Sequence, residues 1–175
     1  MRFLLLIFLL LFVSFSYSQK ILAKPNCLTR DASESKDSLD NKITKTCMFK
    51  NHKFVSIGSP DYKGRYAYEY FVYKIEKEKE IPAKNSDIFL NVKQIEKLLN
   101  KKFKKKIAAA KSDDENSECM KWVSFKEYKL DDIAITFNDN NEMEFEASIA
   151  LPDACFSLSF IDVSLKLDII EKYFK

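Results

Sequence analysis

Between residues 133 and 151 apolar and polar positions alternate almost without a break: IAITFN, then EMEFEASIAL, separated by Asp139-Asn140-Asn141. Successive side chains of a strand point to opposite faces of its sheet, so this period of two predicts a half-buried hairpin over 133–138 and 142–151. A three-residue turn sets Phe137 against Met143, Ile135 against Phe145 and Ile133 against Ala147. A two-residue turn would set Phe137 against Glu142 and spoil the apolar face. Asn141, last in the turn, suits the left-handed backbone such loops use. Glu142, Glu144 and Glu146 then line the opposite, solvated face. Three carboxylates in one environment lack the contrast that acid–base catalysis needs, and their loop lacks the glycine and spacing of the helix-loop-helix calcium site. A further alternating run, 154–160, predicts the next strand, and LKLDIIEKYF over 165–174 predicts a short closing helix.

Upstream the period changes. Val92, Ile95, Leu98, Leu99, Phe103, Ile107 and Ala110 recur every three or four residues, predicting an amphipathic helix over 92–110 capped by Asn91 with Gln94 three residues on. Its apolar stripe runs through Phe103 and Ile107, which leaves Lys101, Lys104 and Lys105 outward. Residues 62–80 (YKGRYAYEYFVYKIEKEKE) read as an aromatic strand with Tyr66, Tyr68, Tyr70 and Val72 on one face, either filling that half-buried face or forming a platform for a ligand. The acid–lysine tail to residue 80 reads as a charged strand end. TCMFKNHKFVSI (46–57) reads as a hairpin with Lys50–Lys53 as a four-residue turn, placing His52, the sole histidine, at a solvated tip. Residues 31–42 read as a polar loop. CMKWVSFKEY (119–128) reads as a further strand with Trp122 in the core. The sum is one α+β domain: an antiparallel sheet of five to seven strands, a main helix over 92–110 and a short C-terminal helix.

Residues 1–18 have the layout of a secretory signal peptide: Met1-Arg2, an unbroken apolar run from 3 to 13, and a small-residue end at Ser16 and Ser18. The run is too short for a membrane span, so the expectation is a secreted or periplasmic domain over 19–175 with no lasting membrane anchor. An oxidising destination turns Cys27, Cys47, Cys119 and Cys155 into two expected disulfides, with local pairing, Cys27 to Cys47 and Cys119 to Cys155, favoured because shorter loops close more readily. The wide cysteine spacing and the single histidine speak against a zinc site.

Two glycines in 175 residues exclude the Gly-rich loops that cradle nucleotide phosphates, and the lone His52 leaves no base for a serine or cysteine triad. No cofactor or metal is expected. Charge is divided unevenly: 22 Lys and Arg against 11 Asp and Glu over 19–112, then 6 against 15 over 113–175. This near-balance argues against nucleic acid and leaves open whether the two halves form separate surfaces or intermingle. The function these features favour is an exported, non-enzymatic binding protein for another macromolecule, such as an inhibitor, an immunity-type protector or an envelope ligand binder. Its expected contacts are Lys101, Lys104 and Lys105 against an acidic partner, and Tyr66, Tyr68 and Tyr70 second. The alternative is a carboxylate-based hydrolase of envelope polymers.

Overall fold

The computed structural model describes residues 23–31, 42–61 and 64–175. The expected leader, residues 1–18, and nearly all of the expected polar loop, 31–42, lie outside the described residues. Five antiparallel strands form one sheet in chain order: β1 (Asn26–Asp31), β2 (Ile43–Phe49), β3 (His52–Pro60), β4 (Tyr66–Glu76) and β5 (Lys79–Ala83). The main helix α1 (Val92–Lys111) follows, then a single turn α2 (Ser117–Met120). Strands β6 (Ala134–Phe137), β7 (Met143–Ser148) and β8 (Phe160–Leu165) form a second antiparallel sheet, and a short helix α3 (Leu167–Ile170) leads to the C-terminus. The architecture is α+β, with the strands divided between two sheets.

One apolar seam joins these layers. The inner face of the second sheet presents Ile135, Phe137, Met143, Phe145, Val163 and Leu165, and α1 adds Ile95, Leu99, Phe103 and Ile107, all buried. The first sheet contributes only the half of its inner face that carries Phe49, Cys47, Phe54 and Val72. Phe137 packs its ring 5.6 Å from Phe49 and 5.3 Å from Phe54, and Phe174 from the C-terminus closes on Phe49 at 5.1 Å. The remaining half of that inner face, with Lys45, Ser56, Gly58, Tyr68 and Tyr66, follows the same alternation but has no matching apolar partners.

On each edge of the three-stranded sheet one outward carbonyl is met by an ammonium group. Lys45 Nζ donates to the carbonyl of Phe137 on β6 (2.6 Å), and Lys106 Nζ donates to the carbonyl of Asp162 on β8 (2.8 Å). An unpaired edge carbonyl is a template for another chain, and a lysine head satisfies it.

The β6–β7 hairpin has the expected register, Phe137 opposite Met143 and Ile135 opposite Phe145, with Asn141 at φ 58°. Helix α1 starts where Asn91 accepts the Gln94 amide (3.3 Å). Both disulfides join the expected local pairs, Cys27–Cys47 and Cys119–Cys155.

Four expectations are corrected. His52 does not sit at a turn tip: the β2–β3 turn is Lys50-Asn51 alone, with Lys50 at φ 53°, so His52 pairs with Phe49 and is only 2% exposed. The acid–lysine tail after β4 is a hairpin whose two turn residues, Lys77 and Glu78, both take positive φ (48° and 64°), a geometry that favours glycine and asparagine. Residues 153–158 form 3-10 turns, and the strand begins only at Phe160, because Ile161, Val163 and Leu165 are the residues buried in the core, while Leu158 only packs against its margin. Residues 121–129 contain no strand, and Trp122 is 84% exposed.

Candidate functional site

Two constellations stand out, each built around residues the sequence singles out. The first lies between α1 and the extended segment that follows α2. Asn100 clamps that segment to the helix: its Nδ2 donates to the Tyr128 carbonyl (2.9 Å) and its Oδ1 accepts the Tyr128 amide (2.8 Å). One turn earlier Glu96 accepts the Leu130 amide (2.9 Å). Tyr128 is pinned further by its hydroxyl, which donates to the Ser148 carbonyl (3.1 Å), and by ring contacts to Phe103 and Phe125. Burial pushes this hydroxyl's pKa up, so it stays a neutral donor.

The clamp leaves a concavity of about 540 Å³ along the helix. Lys93, Lys97, Lys101 and Lys104 line it from the helix, and Phe125, Tyr128 and Lys129 from the segment opposite. The spacing of the four helical lysines, four, four and three residues, is that of a single stripe on an α-helix. None of the five forms an ion pair with a described residue. Against them stand Glu96, already engaged by the Leu130 amide, and Glu127. Of the expected contacts, Lys101 and Lys104 are therefore brought together, and Lys105 is exposed but outside the groove lining. Lys93, Lys97 and Lys129 were missed. The sequence placed the lysines outward but held no signal that a segment from beyond residue 120 would build the opposite wall.

The second constellation lies where the two sheets diverge. Tyr66, Tyr68 and Tyr70 share one face of β4, with ring centroids 6.3 Å apart at both steps and planes turning by 33° and then 29°. Tyr68 faces Gly58 on β3, and a Cβ at Gly58 would stand only 2.6 Å from the Tyr68 Cε1. The glycine therefore allows the ring to lie down on the strand while 48% of the residue stays exposed. Tyr70 is half-buried, and its hydroxyl donates to Glu146 Oε1 on β7 (3.0 Å). Desolvation, with the Glu146 charge beside it, drives the Tyr70 pKa upward, so the phenol keeps its proton.

The glutamate row is not the solvated face expected of it. Glu142, Glu144 and Glu146 do lie opposite the core residues of β7, but all three are half-buried, because β4 and Lys45 of the first sheet approach that side. Burial raises the Glu146 pKa, with Glu144 and Asp162 adding to the rise and the Tyr70 hydrogen bond opposing it. Burial likewise raises Glu144, assisted by Asp162 and opposed by Lys45 and Lys106. Both carboxyls move the same way for the same reason, and a general acid and base pair requires environments that push apart.

Charges of the two halves do meet across the fold: Lys106 pairs with Asp162 (2.7 Å) and Lys50 with Glu171 (3.9 Å). No cluster of His, Cys, Asp and Glu among the described residues has the arrangement to hold a metal ion. No described helix is long and apolar enough to cross a membrane, and two disulfides fit an oxidising compartment. Set against family models, curated proteins and solved structures, the chain finds no match in any of the three.

Proposed function

We propose that this is an exported, non-enzymatic binding protein whose α1 groove receives an acidic segment of another macromolecule. One observation carries the reading: five lysines without ion partners among the described residues line one concavity, with Phe125 between them. Like charges held within a few residues of one another repel, and an anionic ligand relieves that repulsion while its apolar atoms cover the half-exposed Phe125. Such a surface raises association rates more than it deepens affinity, and salt screens it beyond a Debye length of about 8 Å at physiological ionic strength. The competing hydrolase reading draws on Glu144 and Glu146, whose matching environments give it less support.

The test is fluorescence anisotropy with a labelled oligoglutamate peptide. Binding is expected at low ionic strength and is expected to weaken steadily with salt. Lys101→Glu combined with Lys104→Glu is expected to abolish it, while Lys105→Glu, outside the groove, reduces it far less. Equal losses from the groove pair and from Lys105→Glu would refute a defined groove, and absence of binding at low salt would refute the acidic ligand.

A further inference from the structure

We infer that the tyrosine ladder on β4 is a second binding site, independent of the lysine groove, and that its ligand is a linear neutral oligosaccharide. Three features of the ladder converge on that class. First, the rings repeat: Tyr66, Tyr68 and Tyr70 stand 6.3 Å apart in one row, each turned by about 30° from the last, with Tyr68 the most exposed and its neighbours half-buried. A repeating platform suits a repeating ligand.

Second, the middle ring is laid flat by design of the backbone. Any side chain at Gly58 would collide with Tyr68, whereas glycine lets one ring face rest on β3 and leaves the residue 48% exposed. Core tyrosines bury both faces; this one offers a broad apolar plane with a polar rim, the complement of the C–H face of a pyranose ring.

Third, hydrogen-bond acceptors stand at the end of the row. The Tyr70 hydroxyl is spent on Glu146, which fixes the ring and leaves the second Glu146 oxygen, with Glu144 beside it on the same face, to accept sugar hydroxyls. Lys45 and Lys106 stand near Glu144, and Lys106 pairs with Asp162, so the two lysines offset part of the negative charge on this face, and its carboxylate oxygens are acceptors for the hydroxyls of an uncharged polyol.

The experiment uses the full chain with soluble cello-oligosaccharides and chito-oligosaccharides, read by saturation-transfer NMR and by titration of intrinsic fluorescence. Wild type is expected to bind at least one of the two series. Tyr68→Ala, at an exposed position that should leave the thermal melt unchanged, is expected to weaken binding roughly fivefold or more. Tyr68→Trp should retain it. Gly58→Ala, which keeps the tyrosine but forces its ring off the strand, should weaken it, and the Lys101→Glu, Lys104→Glu variant should bind sugar normally. Failure of the folded wild type to bind either series would overturn the proposal. So would unchanged binding by Tyr68→Ala, or selective binding of an oligoarginine peptide at the ladder in place of sugar.

Discussion

Replacing both Cys119 and Cys155 by alanine removes the bridge that anchors the start of the groove wall. Cys119 lies in α2, directly before the segment that Asn100 clamps, and Cys155 in the 3-10 turns ahead of β8. Neither belongs to the fully buried core, so truncation to alanine sacrifices little packing and the loss is dominated by the unfolded chain. The bridge closes a sequence separation of 36 residues. Loop-closure entropy for a ring of that size corresponds to about 3.8 kcal/mol at 25 °C. For a domain of this length each kcal/mol moves the melting temperature by about 2–4 °C, which predicts a fall of roughly 8–15 °C. Urea unfolding followed by circular dichroism measures the first quantity and a thermal melt the second. The urea slope should rise as well, because the released unfolded chain expands and exposes more surface. A double-alanine variant within about 1 kcal/mol of wild type, with an unchanged slope, would refute the reasoning by showing that the bridge does not restrict the unfolded ensemble.

Two pH predictions follow from groups whose environments differ sharply from water. His52 is buried against Phe174, its Nδ1 lacks a hydrogen-bond partner, and burial together with Lys74, Lys50 and Lys175 lowers its pKa below the usual 6.5. Its neutral form stabilises the fold above about pH 6.5, and that stability is lost as pH falls through the depressed folded value; His52→Phe should flatten this acid limb in melts taken from pH 7 to 5, and a variant with the wild-type slope would remove His52 as its source. Glu146 behaves oppositely: its raised pKa means that stability is greatest below about pH 4.5 and declines as pH rises through the folded value, so Glu146→Gln, which still accepts from Tyr70, should raise neutral-pH stability, and a fall would contradict a desolvated carboxylate.

What the sequence disclosed, and what it concealed, follows from the range of the forces involved. Helix α1 was legible because its stripe of Ile95, Leu99, Phe103 and Ile107 and its Asn91 cap are local, and the β6–β7 register was legible because only one slip keeps Phe137 and Phe145 on the core. Strand β8 was misplaced because two runs alternate in succession with their phase reversed between Phe160 and Ile161, and period alone does not say which phase faces the core. His52 was misread because its neighbours Lys50, Asn51 and Lys53 have turn-like chemistry; shortening the turn from four residues to two carried the imidazole into the interior. The halves of each candidate site come from distant segments. Lys101 and Tyr70 were visible as chemistry, but the groove wall at Lys129 and the carboxylate at Glu146 reach them only through packing between layers.

The two ammonium groups seated on the Phe137 and Asp162 carbonyls bear on how this protein behaves when crowded. A short ribbon with open flanks invites copies of itself to zip on and grow into fibrils, and here a cation corks one outward-facing rung on each flank. Exchanging Lys45 or Lys106 for methionine would keep much of the length and lose the cork, leaving that carbonyl open to the amide of another chain.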